Sequence, residues 1–164
     1  MIKKYHGYLG NFQYDNREFK LVGGYNAQSL VYIGKETDGS KIKIPEGITS
    51  CNAMFYNCDI TIPPVIPTGV VDCNFMFQHS RITEPPFIPY SVGSCDYMFE
   101  GCQHLMYAPL LPEAMINSRH MFSGCTSLRN YSLTYAEDKL DYAHTPAVIG
   151  ELSLFVEKFY DERK

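Results

Sequence analysis

The stretch that decides the fold is CNAMFYNC at residues 51–58, because it recurs three times further along the chain. It returns as CNFMFQHS at 73–80, CDYMFEGC at 95–102 and SRHMFSGC at 118–125. The Met-Phe pair begins at residues 54, 76, 98 and 121, so successive copies are 22, 22 and 23 residues apart. A fixed period of this length is typical of stacked repeats, in which one unit cannot bury its apolar side alone.

The residues downstream of each Met-Phe pair repeat with the same period. One aliphatic column is Ile60, Ile82, Leu105 and Leu128, and two proline columns are Pro64, Pro86, Pro109 and Pro67, Pro89, Pro112. We predict that Met-Phe lies on a turn and points into the stack. The aliphatic column is predicted to begin the side of each repeat that forms a strand. The proline-rich stretch is predicted to be an extended outer segment, because proline lacks the N–H that a central strand donates.

The pattern Val-x-x-Cys-x-x-Met-Phe-x-x-Cys-x-x-Leu followed by Ile-Pro resembles BspA-like leucine-rich repeats over residues 42–133. With Met before Phe and Cys at the first position, it is similar to short bacterial and phage-borne versions of that repeat. The resemblance implies a β-rich α/β solenoid, a leucine-rich-repeat stack of about four turns of 22–23 residues. It also implies a binding or adhesion module, because the family shares no catalytic residues.

The two ends of the chain lack the repeat and are predicted to cap the stack, as parts of one cooperative domain. Residues 1–44 are expected to form an N-terminal β cap, with strands over 19–22 and 29–33 and a hairpin at Asp38-Gly39. Residues 45–133 are the predicted solenoid. Residues 134–164 are the predicted C-terminal helical cap, with a helix over 146–159 behind Thr145 as N-cap. The alternative is that this helix docks onto a partner or forms a dimer interface.

Composition excludes several classes of protein. The 164 residues are 45% hydrophobic and 20% charged, which is a globular composition, and the net charge of -4 argues against a nucleic-acid binder. No apolar run approaches the roughly 20 residues of a membrane helix. No apolar segment follows the charged first residues, so we expect no secretory signal and a cytoplasmic protein.

Six cysteines and five histidines are the residues with possible chemistry. Cys51, Cys73 and Cys95 share one repeat column, and Cys58, Cys102 and Cys125 share another, so we expect buried free thiols. Disulfides and a metal site are the alternatives, although no Cys-x-x-Cys occurs. We predict no metal and no cofactor. A Cys–His hydrolase using Cys102 or Cys125 with His104 or His120 remains a rival interpretation.

Repeat positions that vary between copies are the candidate interaction surface. They are Phe75, Glu84, Tyr97, Met106, Tyr107, Arg129 and Asn130. Neutral drift on a solvated face is the alternative explanation, but Tyr and Phe suit interface anchors.

We therefore predict a non-enzymatic protein–protein interaction module that binds a protein target through the repeat surface. Its specific form would be a phage or mobile-element inhibitor of a host enzyme or defence complex. Besides the hydrolase, the alternative is a structural, self-assembling component of a larger particle. The predicted partner is another protein, with neither nucleic acid nor membrane, and the chain itself is expected to be a monomer or a homodimer.

Overall fold

A computed structural model of the chain describes residues 1–23, 27–113 and 115–129. The regular elements are strands β1 (Ile2–Gly7), β2 (Gly10–Asp15), β3 (Phe19–Val22) and β4 (Ser29–Tyr32), followed by a short 3₁₀ turn at Gly39–Lys41. β1 pairs with β2 and β3 pairs with β4, each as an antiparallel two-stranded sheet. All four strands precede the Met-Phe repeats.

The β1–β2 hairpin was not anticipated from the sequence. Tyr5 lies opposite Phe12 in its register, and their rings stack with centroids 4.8 Å apart. Both side chains are buried, whereas the neighbouring Lys4 and Gln13 are exposed. One apolar cross-strand pair of this kind anchors the hairpin to the core. The hairpin then meets the first repeat through an isolated bridge between Gly10 and Ile48.

The strand predicted over 19–22 is confirmed, and the strand predicted over 29–33 ends one residue earlier, at Tyr32. The predicted Asp38-Gly39 hairpin is wrong. The Asp38 carboxylate instead accepts the Ser40 N–H at 3.0 Å and caps the 3₁₀ turn. Gly39 is buried, and its N–H donates to the Ile62 carbonyl at 2.8 Å, so this glycine lies against the first repeat and not at a hairpin tip.

Backbone hydrogen bonds join each repeat to the next one along the chain. In the first copy, the N–H groups of Cys51 and Phe55 donate to the carbonyls of Asp72 and Met76, both at 2.8 Å. Equivalent bonds recur from the second copy to the third and from the third to the fourth. The repeats therefore lie side by side in register, which brings residues of one sequence column into contact.

The predicted fold class, a helix-capped leucine-rich-repeat solenoid, is wrong. Within the described residues there is no α-helix, and the two hairpin sheets are the only sheets. Neighbouring repeats meet in isolated parallel bridges, such as Ser50 with Asp72, and no solenoid sheet or closed sheet forms.

The reason lies in the backbone of each Met-Phe copy. Two residues per copy have φ between +51° and +76°, for example Phe75 and His79 in the second copy. These left-handed residues turn the chain repeatedly, so a strand cannot extend beyond a single bridge. Prolines then interrupt the following segment. The predicted C-terminal cap over 134–164, with Thr145 and the helix over 146–159, lies outside the described residues.

The inward orientation of Met-Phe is confirmed. The four phenylalanines of the Met-Phe pairs are buried; they are Phe55, Phe77, Phe99 and Phe122. Their rings form a ladder in which neighbouring ring centroids lie 5.5–5.9 Å apart, with interplanar angles of 8° or less. Tyr32 of β4 covers the first ring at 5.4 Å. The aliphatic column is also buried, although it begins no strand. The sequence columns thus form one continuous apolar core.

The expected burial of the cysteine columns is confirmed for five thiols, and Cys58 is half-buried. All six are free of disulfides. Burial raises the pKa of Cys51, Cys95 and Cys125 well above the usual thiol value, and it raises the pKa of Cys102 to about 11. Because the thiolate is the reactive species, these side chains are chemically quiet packing groups.

We expect Cys58 alone to react with a maleimide in the native protein, because it is the half-buried thiol. After unfolding in urea, all six should react. Intact mass spectrometry of the native and unfolded protein after the same labelling time counts the adducts. Rapid labelling of several native cysteines would contradict the buried thiol columns.

Candidate interaction surface

Three proline-containing segments, 62–68, 84–90 and 107–113, present one shared pattern of exposure. Every third residue is exposed, which gives three side chains from each segment. We call these nine residues the outward grid; its rows are Ile62, Val65, Thr68, then Glu84, Phe87, Tyr90, then Tyr107, Leu110, Glu113.

The residues between the exposed positions of each segment are buried or half-buried. In the first segment, Pro64 and Ile66 are buried on either side of the exposed Val65. A three-residue period is that of polyproline II, which has three residues per turn and no internal hydrogen bonds. The prolines favour this conformation, so positions three apart point to the same side.

Backbone hydrogen bonds hold the three segments next to one another. The Thr83 N–H donates to the Thr61 carbonyl at 3.1 Å, and the Met106 N–H donates to the Thr83 carbonyl at 3.0 Å. Near the other end of the segments, the Ser91 hydroxyl donates to the Val70 carbonyl at 2.7 Å. The first two rows of the grid are therefore aligned at both ends, and the third row is aligned with the second at its first end.

The chemistry of the grid is mainly apolar. Val65 is 83% exposed, Phe87 69% and Tyr90 81%, and the rings of Phe87 and Tyr90 stand nearly perpendicular with centroids 6.4 Å apart. Within the part of the chain that the structure describes, Glu84 makes no ion pair or hydrogen bond. Six of the nine members are hydrophobic, and a contiguous patch of this kind marks an interaction site more often than scattered apolar residues do.

The sequence-predicted surface residues separate into different environments. Glu84 and Tyr107 belong to the outward grid and are exposed. Met106 is half-buried, and its carbonyl accepts the Arg129 N–H at 2.8 Å, while Arg129 itself is exposed. Asn130 lies outside the described residues. The structure thus brings two of the seven residues into one exposed patch.

Phe75 and Tyr97 lie outside the outward grid, in a repeat column whose aromatic rings pack against one another. Their rings stack at 5.0 Å, and the His120 ring continues the stack at 4.9 Å from Tyr97. All three residues are half-buried and have φ between +53° and +59°. Because each ring covers its neighbour, this column stabilises the turns and offers less free surface than the sequence suggested.

A polar column beside these rings fixes the same turns. The Asn74 side-chain oxygen accepts the Asp96 N–H and the Ser94 hydroxyl, both at 2.7 Å. The Asp96 carboxylate in turn accepts the Arg119 N–H at 2.7 Å and its guanidinium at 2.9 Å. One copy therefore caps the turn of the next. At Asp72, an earlier member of this polar network, burial raises the pKa of the carboxyl.

The residues of the predicted hydrolase alternative are not arranged for nucleophilic attack. The Cys102 and Cys125 thiols donate to the carbonyls of Phe77 and Phe99 at 2.9 and 3.0 Å. His104 is exposed, and the His120 ring belongs to the aromatic column. A buried thiol with a raised pKa is a poor nucleophile, so this geometry gives the hydrolase hypothesis no support.

Seven of the nine grid residues were missed from the sequence, including the four most exposed hydrophobic members: Val65, Phe87, Tyr90 and Leu110. The signal was present, because Val65, Phe87 and Leu110 each follow a proline of the same repeat column. The sequence predicts only an extended outer segment here, whereas the three-residue period of exposure is visible in the structure.

The described residues contain no group of three or more His, Cys, Asp or Glu side chains placed to hold a metal ion. In the same residues, no helix has the length and apolar character needed to cross a membrane. Comparison of the chain with protein-family models, with curated proteins and with solved structures finds no match.

Proposed function

We propose that this chain is a non-enzymatic protein–protein interaction module that binds its protein partner through the outward grid. The observation that carries the proposal is the exposure of six hydrophobic grid side chains on three adjacent, aligned segments. Removal of such a patch from water by a partner is favourable, by roughly 25 cal/mol per Å² of apolar area buried.

The makeup of the patch supports a protein partner. Phe87, Tyr90 and Tyr107 are of the residue types that concentrate at the centre of protein interfaces. A membrane surface suits the patch less well, because Glu84 lies in the middle row and anionic lipids would repel its carboxylate. A cytoplasmic location is part of the proposal and is supported by the six unpaired cysteines, since such thiols persist in reducing compartments.

A charge placed in the centre of the grid tests the proposal. We expect Phe87→Asp to abolish retention of the protein partner in quantitative affinity capture, because it would bury a carboxylate in an apolar contact. The matched control is Val71→Asp, since Val71 is 52% exposed and lies outside the grid. Both variants should keep the parental urea-unfolding midpoint. Equal retention by the parent and Phe87→Asp, or equal loss in both variants, would contradict the proposal.

A further inference from the structure

The polar groups of the outward grid flank an apolar column, an arrangement that suits a partner carrying the same pattern. Its central column, Val65, Phe87 and Leu110, is entirely apolar. Its middle row has a carboxylate at one side of that column, on Glu84, and a phenol at the other, on Tyr90. The two polar groups are therefore arranged on opposite sides of an apolar line.

Resting on the proposed function, we propose that the partner of the outward grid is a second copy of this chain, bound about a two-fold axis parallel to the central column. This operation places each row against the same row of the second copy, running in the opposite direction. The central column then meets itself, and Phe87 packs against Phe87 of the second copy. An interface of this type is isologous, so one patch serves both partners.

Hydrogen-bond complementarity favours this arrangement. The axis places the Glu84 carboxylate opposite the Tyr90 hydroxyl of the second copy, and the symmetric pair forms at the other side. A phenol donating to a carboxylate is a charge-assisted hydrogen bond, which is stronger than a neutral one.

A two-fold axis parallel to the rows is disfavoured. An axis parallel to the rows would place Glu84 against Glu84 of the second copy. Two carboxylates without a cation between them would then lose water and repel each other. The sequence of the middle row thus favours an axis parallel to the central column over one parallel to the rows.

The size of the grid sets the expected strength of the dimer. Outward positions three residues apart in polyproline II are separated by about 9 Å, so each row spans about 19 Å between its outer members. Three rows of this length form a patch smaller than that of a standard-size interface. We therefore expect a dimer that dissociates on dilution.

Sedimentation velocity of the full chain from about 1 μM to about 1 mM tests this inference over the range where weak dimers dissociate. The mean mass should rise from that of one chain towards that of two. Phe87→Asp should remain monomeric throughout, and Val71→Asp should dimerise like the parent. A parent chain that stays monomeric, or a dimer that Phe87→Asp leaves intact, would overturn the inference.

A double-mutant cycle tests the pairing itself. Glu84→Gln and Tyr90→Phe should each weaken dimerisation by about tenfold or more, because each substitution affects two symmetry-related hydrogen bonds to a charged group. In the double variant the second change should add little, because the contact is already lost. Effects that multiply would overturn the proposed axis, since within one chain these two side chains are too far apart to touch.

The two proposals fail in different ways. A monomeric parent whose captured foreign protein is lost in Phe87→Asp would overturn the dimer and keep the protein-binding function. A chain that neither dimerises nor retains a Phe87-dependent partner would overturn both proposals.

Discussion

Phe77→Ala should lower the free energy of unfolding by about 3–5 kcal/mol, the usual cost of removing a buried ring. Phe77 is fully buried, and its ring is stacked between Phe55 at 5.5 Å and Phe99 at 5.9 Å. Loss of this ring opens a cavity that two neighbouring repeats share, and their aligned backbones limit how far they can collapse. Urea unfolding followed by circular dichroism measures the change.

Phe87→Ala is the matched control for this prediction, because it removes the same side chain from an exposed position. We expect it to change stability by no more than about 0.5 kcal/mol, as for most surface substitutions. If Phe77→Ala unfolds at the same urea concentration as the parent, the phenylalanine ladder does not hold the repeats together.

Gly39→Ala should lower the free energy of unfolding by about 1–3 kcal/mol, the range for an overpacked core. A Cβ at Gly39 would lie 2.1 Å from the Ile62 carbonyl oxygen and 2.4 Å from the Pro64 nitrogen. Both are backbone atoms, so no side chain can move aside and the 3₁₀ turn must separate from the first repeat. Thermal unfolding of the variant and the parent measures the loss.

Gly93→Ala provides the comparison, because a Cβ at Gly93 would meet no atom within 4 Å. We expect this variant to be as stable as the parent or slightly more stable, since alanine restricts the unfolded chain. Equal stability of the Gly39 and Gly93 variants would show that residues 39–41 do not pack closely on the repeat.

Much of the core could be predicted from the sequence, because burial repeats with the period. Met54, Phe55, Cys51 and Ile60 occupy columns that are apolar in nearly every copy, and all four are buried. The fold class could not be predicted, because it depends on φ at positions such as Ala53 and Phe75, where no glycine signals a left-handed residue. The family resemblance stays a prediction.

The candidate surface was only partly predictable for a related physical reason. Variation between copies selected Glu84 and Tyr107, which are exposed, but it also selected the half-buried Phe75 and Tyr97. Those two rings face along the stack and cover each other, which a one-dimensional pattern does not show. Val65 and Phe87 lie in the predicted outer segment, but the sequence alone does not show which positions of such a segment face solvent.

Site-specific photo-crosslinking tests the central claim, that the outward grid is a protein-binding surface, most directly. A photoreactive phenylalanine analogue would replace Phe87 in the expressed full chain, with Val71 replaced in a matched control. The account predicts a covalent protein adduct from position 87 and none from position 71, and the mass of the adduct distinguishes a second copy from a foreign protein. No adduct from position 87, or the same adduct from both positions, would contradict it.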